Sequence, residues 1–86
     1  MEKKKSAGRI VFADKDVFYI FTRVIKEEFG NIGAGKFTPE FFKNKTVFVR
    51  CASPTWGSEL FLNREKIIRK MNKELGEGAI KNIKTK

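Results

Sequence analysis

The stretch from Thr46 to Leu60, T-V-F-V-R-C-A-S-P-T-W-G-S-E-L, constrains the fold more than any other part of the chain. Its first residues alternate: Val47, Val49 and Cys51 point one way, and Thr46, Phe48 and Arg50 point the other. Period two with β-branched and aromatic enrichment reads as a strand with at least one buried face. Ser53 then supplies a hydroxyl N-cap, and Pro54 takes the first helical position, where a missing N–H costs nothing. Trp56 and Leu60 follow at an i, i+4 spacing on one face of the new helix. A buried strand therefore turns sharply into a helix that carries the only Trp of the chain back over the sheet. The indole is expected inside, clamping the C-terminal helices onto the sheet.

The rest of the chain packs around that corner. Residues 1–12 read as a basic N-terminal arm, with Ile10-Val11-Phe12 as a short apolar run, and residues 13–86 as one domain. Asp14 is the expected N-cap of a first helix, with Asp16 suited to its dipole. Val17, Phe18, Ile20, Phe21, Val24, Ile25 and Phe29 recur at helical spacing and form a wide apolar face. Tyr19, Arg23, Lys26 and Glu27 occupy the other side. Gly30, Gly33 and Gly35 each weaken helix by about 1 kcal/mol relative to Ala, which leaves the end of this helix open. Phe29, Ile32 and Phe37 remain candidates for burial beyond it. Lys36 to Lys43 reads as a strand in which Pro39 demands an edge position or a bulge. Lys43-Asn44-Lys45 forms a tight turn, since Asn tolerates the left-handed conformation. Thr46 to Ala52 then pairs back antiparallel.

After the Ser53-Pro54 corner the helical pattern falters at Asn63-Arg64, and Asn63 can cap a new helix. Ile67, Ile68, Met71 and Leu75 continue an apolar face that Gly76 closes. Ala79 to Thr85 is a closing strand in which Ile80 and Ile83 break strict alternation. The expected core combines Phe21, Val47, Val49, Trp56, Leu60, Ile67, Met71 and Leu75. Helix, strand, strand, helix, helix, strand, with helices on one face of a small three-stranded sheet, is an α+β domain. That order is the one used by type II K-homology (KH) domains, which bind single-stranded nucleic acid, although fold alone does not establish function.

Catalysis finds little support. The chain has no His and a single Cys, which rules out an internal disulfide and a zinc site of Cys and His, and a lone thiol suits a reducing cytoplasm. Cys51 shares the face of Val47 and Val49 and reads as a small buried hydrophobe rather than a nucleophile. Glu27 and Glu28 are adjacent on a helix and diverge by about 100°, so they form no two-carboxylate site. The Gly-rich run G-N-I-G-A-G-K lacks both the ending and the preceding strand of a phosphate loop. We therefore expect no enzyme, no cofactor and no metal. No apolar run approaches the roughly 20 residues of a membrane span, and no signal-peptide pattern follows the basic N-terminus.

Charge is more informative. Nineteen Lys and Arg against ten Asp and Glu give +9 in 86 residues, a field that favours polyanions. Lys43 and Lys45 crowd the turn, Arg50 lies on the outward strand face, and Arg64, Lys66, Arg69, Lys70 and Lys73 line the polar side of the last helix. These eight are the candidate nucleic-acid-binding residues, set against the plainer reading of a solvated basic surface. Phe48 shares the face of Arg50 and could stack on an unpaired base. Burial under the first helix or the N-terminal arm is the favoured reading, because large aromatics are usually covered where a face is available.

Residues 30–83 also resemble a known family. Gly30 is followed nine residues on by Pro39, Lys43-Asn44-Lys45-Thr46 stands at a turn, and Val47-Phe48-Val49 forms a strand. Ser53-Pro54-Thr55-Trp56-Gly57-Ser58-Glu59-Leu60 makes a serine-bearing corner before W-x-x-E-L, and Met71-Asn72-Lys73-Glu74-Leu75-Gly76 leads to Ile80 and Ile83. In this order and spacing they resemble the DciA family, bacterial proteins that load or operate the replicative helicase DnaB. Where that family places a Trp before the glycine this chain has Phe21, and Lys45 stands in place of a turn glycine. The disordered extension that many members add has no counterpart in these residues. The resemblance implies a KH-like domain that acts by binding in the cytoplasm at the nucleoid, with single-stranded DNA, in preference to RNA, and the replicative helicase as partners. Oligomeric state stays open. The helix joint, Leu62-Asn63-Arg64-Glu65, lacks the G-x-x-G loop that clamps nucleic-acid backbone in KH domains, so any such binding uses a different grip. A general single-stranded RNA or DNA binder without a helicase role, or a protein-interaction scaffold, are the alternatives.

Overall fold

The computed structural model describes residues 13–85, so the N-terminal arm with Ile10-Val11-Phe12 lies outside the described residues. Six elements follow one another: α1 (Asp14–Ala34), β1 (Phe37–Lys43), β2 (Thr46–Cys51), α2 (Pro54–Leu62), α3 (Arg64–Leu75) and β3 (Asn82–Thr85). The class is α+β, three helices with a three-stranded sheet. β2 is central, antiparallel to β1 and parallel to β3. One apolar cluster joins all six elements, and Phe21, Val47, Val49, Leu60, Ile67, Met71 and Leu75 belong to it, none more than 7% exposed.

Ala13, not Asp14, is the N-cap of α1; Asp14 and Asp16 fall in the first turn, and the Asp16 carboxylate accepts the Ala13 N–H at 3.3 Å. The negative charge thus sits where the helix dipole favours it. Val17, Phe21, Val24 and Ile25 are buried, while Phe18, Ile20 and Phe29 are half-buried. The helix kinks at Gly30, whose φ of 77° a β-carbon would disfavour, and one further turn runs to Ala34. That kink turns Ile32 into solvent, 78% exposed, against the expectation that it could be buried. Gly33 is buried for a different reason: a β-carbon there would collide with Phe29 and lie 3.7 Å from the Trp56 ring.

The hairpin between β1 and β2 is closed by Asn44 and Lys45, with φ of 52° and 60°. Two successive left-handed residues match the right-handed twist of the flanking strands. Pro39 lies on the edge strand, and the register shifts between Pro39 and Phe41, so Glu40 is the extra residue of a bulge. The shift changes which side chains face inward. Pro39 pairs with Val49, but beyond the bulge Phe42 pairs with Val47 and Phe41 with Phe48. Phe42 therefore packs against the core and Phe41 turns outward, 41% exposed. Phe48 does not lie under α1: it is half-buried on the opposite face and stacks on Phe41, while its expected alternative cover, the N-terminal arm, lies outside the described residues.

At the corner the Ser53 hydroxyl accepts the Trp56 N–H at 3.3 Å and Pro54 opens α2. Trp56 itself is half-buried, not central to the core. Its ring stands edge-on to Phe29 and Phe37, 6.2 and 5.7 Å between centroids. It thus fixes the start of α2 to the end of α1 and to β1, rather than clamping the two C-terminal helices. Asn63 also departs from expectation. It precedes α3, but its side chain makes no cap there; it donates backward to the Glu59 carbonyl at 2.8 Å and closes α2. β3 is shorter than the expected Ala79–Thr85. Asn72 of α3 brackets Ile80, donating to its carbonyl at 3.0 Å and accepting its N–H at 2.8 Å. Ile80 is thereby buried from a loop and Ile83 from the strand, so no alternation between them is required.

Candidate nucleic-acid interface

Pairing with carboxylates divides the eight basic residues singled out from the sequence. Lys70 lies 2.6 Å from one Glu28 oxygen and 3.5 Å from Glu27, and Lys66 lies 3.5 Å from the other Glu28 oxygen. Arg50 pairs with Glu40 of the bulge. Lys43, Lys45, Arg64, Arg69 and Lys73 have no ion pair among the described residues. One more pair, Arg23 with Glu74, continues the line of contacts between α1 and α3. The edge of α3 that faces α1 is therefore largely charge-compensated.

The titration behaviour follows the same geometry. The hydrogen bond from Lys70, with further attraction from Lys66, holds the Glu28 carboxyl below its ordinary range against the opposing effect of burial. Lys70 is raised in turn, chiefly by its hydrogen bond to Glu28. Arg23 is raised by its hydrogen bond to Glu74. Burial pushes the Cys51 thiol up, which keeps it protonated and a weak nucleophile at neutral pH. Among the described residues no cluster of three His, Cys, Asp or Glu side chains is arranged to hold a metal ion, and no helix is long and apolar enough to cross a membrane.

Arg64 opens α3 with its guanidinium over the Phe61 ring, 4.4 Å from the centroid. A cation over an aromatic face is attracted by the ring quadrupole. Phe61 and Leu62 are 61% and 75% exposed at the end of α2. Two hollows flank Phe61. One, of about 340 Å³, is lined by Leu60, Phe61, Arg64 and all four residues of β3. The other, of about 740 Å³, runs on past Pro54, Gly57, Leu62 and Thr85 toward Cys51. That every residue of β3 lines the first hollow places it along the free edge of the sheet. The result is a largely apolar groove with Arg64 and Lys84 at one end.

The exposure of Phe61 and Leu62 is not among the sequence expectations, although the sequence carries a signal for it. Leu60, Phe61 and Leu62 are consecutive on a helix, each about 100° from the next, so one narrow buried face cannot hold all three. Leu60 takes the inward position.

The fold is a small α+β domain with large hydrophobic side chains, Phe41 and Phe61 among them, left at its surface. The family model described as Dna[CI] antecedent, DciA, matches residues 17–85. The chain belongs to the DciA family, a replication-associated family of helicase loaders. No curated protein matches it.

Proposed function

We propose that this chain is a non-catalytic accessory protein of DNA replication, which binds single-stranded DNA and a DnaB-type replicative helicase and assists the helicase onto DNA in the cytoplasm. The family match over residues 17–85 carries the reading. The fold is taken as KH-like, its helices on one face of the sheet, in keeping with the α-β-β-α-α-β order. Lys43, Lys45, Arg64, Arg69 and Lys73, unpaired among the described residues, are the phosphate contacts. Arg50, Lys66 and Lys70 contribute less, because each already faces a carboxylate. The helicase is assigned to the groove beside Phe61 and Leu62, since exposed large apolar side chains in one place mark protein contacts more often than phosphate sites.

Capture of the host's replicative helicase on the immobilised chain, with and without single-stranded DNA, tests the helicase half. Fluorescence anisotropy on single-stranded oligonucleotides tests the DNA half, and log affinity should fall with log salt by roughly 0.7 per phosphate neutralised. Binding to DNA with no helicase capture in either condition would leave a general single-stranded nucleic-acid binder. No binding even at low salt removes both nucleic-acid readings.

A further inference from the structure

The outer face of the sheet has a composition of its own. Phe41, Phe48 and Lys84 lie in one row across the three strands, because Phe41 is the register partner of Phe48 and Phe48 of Lys84. The two rings stack, 4.4 Å between centroids and 16° between planes. On one side the adjoining row is Lys43, Thr46 and Asn82; on the other, Arg50 stands opposite Thr38. Lys43, Thr38, Arg50 and Lys84 are exposed, so no described element covers this face.

The bulge is what creates the pair. Had the Pro39–Val49 register continued without it, Phe41 would have faced inward opposite Val47 and Phe42 outward opposite Thr46. The extra residue, Glu40, returns Phe42 to the core and sets Phe41 beside Phe48. Glu40 also pairs with Arg50 and holds that guanidinium on the same face. Bulges of this kind commonly re-aim a side chain next to a functional site.

We propose that this face is a base-stacking platform for single-stranded nucleic acid, with Phe41 and Phe48 as the stacking surface and Lys43 and Lys84 as phosphate contacts. The proposal rests on the reading that the chain binds single strands and adds where the bases go. Unpaired bases stack on aromatic rings irrespective of sequence, while flanking cations follow the backbone. A duplex offers no unstacked base to such a surface, so the platform selects single strands. A protein partner is less well matched, because two rings set among Thr38, Thr46, Asn82 and cations make only a small apolar patch.

The test is anisotropy of a labelled oligothymidylate on the whole chain, comparing wild type with Phe41→Thr, Phe48→Thr, Phe48→Tyr and the double variant Lys43→Gln/Lys84→Gln. Threonine keeps β propensity, and urea midpoints confirm folding. Each Phe→Thr change should weaken binding roughly 5- to 150-fold without changing the salt slope, and Phe48→Tyr should restore it. The lysine pair should reduce the salt slope by about 1.4. Folded threonine variants that bind like wild type overturn the platform while leaving the proposed function standing. Should Phe48→Thr fail to fold, Phe41→Thr still decides. Loss of helicase capture with unchanged DNA affinity gives the rings to a protein and also overturns it. Absence of wild-type binding at low salt brings down the nucleic-acid reading itself.

Discussion

Along one edge of α3, Lys66 and Lys70 meet Glu27 and Glu28 of α1; Arg69 and Lys73, on the same helix, make no ion pair among the described residues. Both sets are cations at an i, i+4 spacing, yet their physical roles differ. The first set joins two helices, and the second contributes an uncompensated field to the surface. Exposed pairs are individually worth little, so the weight of the seam falls on Glu28, whose side chain is 12% exposed and reached by two lysines. Net charge therefore overstates the surface available to a polyanion, and pairing decides which cations remain for it.

The largest expected effects lie in the apolar layer beneath, and they set the scale for everything read at the surface. Ile67→Ala, at a position with no exposed surface, should cost about 2–5 kcal/mol in urea unfolding. Trp56→Ala should cost about 3 kcal/mol, toward the low end for an aromatic because the ring is only half-buried. On a domain with about 5–15 kcal/mol of stability, either change would lower apparent binding merely by unfolding the chain. Neither can serve as a probe of the interface.

Charge reversal breaks or sharpens the comparison directly. Lys70→Glu places a third carboxylate against Glu27 and Glu28 and should lower the urea midpoint, with little change in the salt slope of DNA binding. Arg69→Glu with Lys73→Glu should do the reverse: an unchanged midpoint, weaker binding, and a slope reduced by about 1.4 if each contacts one phosphate. Equal effects of the two reversals on DNA affinity would erase the distinction between the two edges.

A smaller effect follows pH. The Glu28 carboxyl is lowered in the folded chain by its hydrogen bond to Lys70. It binds its proton more readily unfolded than folded, so its contribution is present above the ordinary glutamate range. That contribution is lost as pH falls through the lowered folded value. Lys70, raised in the fold, contributes fully below the ordinary lysine range and loses that contribution as pH rises through its raised value. Urea midpoints measured across the acid range should therefore fall less steeply in Glu28→Gln than in wild type.

Much of this architecture is legible locally. The Ser53-Pro54 corner, the alternation of β2 and the Asn44 turn each depend on residues within a few positions, and each appears in the structure. Pro39 likewise marks its bulge, since proline has no N–H to donate. What the bulge does is not legible, because counting alternation assumes an unbroken register; hence the exchange of Phe41 and Phe42, which sets Phe41 beside the outward Phe48. The backward reach of Asn63 was hidden for another reason, since the same amide can cap the helix on either side. The seam is more remote still. Lys70 and Glu27 are 43 residues apart, and only the packing of α1 on α3 brings them together. The candidate site was thus visible as a set of cations but not as a division among them.

Lys45 offers the mirror image of the seam lysines. It has no ion pair among the described residues, and it holds a φ of 60°, where a β-carbon crowds the backbone. The preferred sequence for such a two-residue turn is Asn-Gly, and Asn44 already supplies its first half. Lys45→Gly should remove the crowding while giving back part of the gain to the greater freedom of glycine in the unfolded chain, leaving a net stabilisation of about 0.5 kcal/mol. If the ammonium contacts phosphate, the same substitution should also weaken oligonucleotide binding and reduce its salt slope by about 0.7. Lys70→Glu loses stability and spares binding; Lys45→Gly should gain stability and lose binding. A variant that gained stability and bound as well as wild type would show that this side chain, despite its position, takes no part in holding DNA.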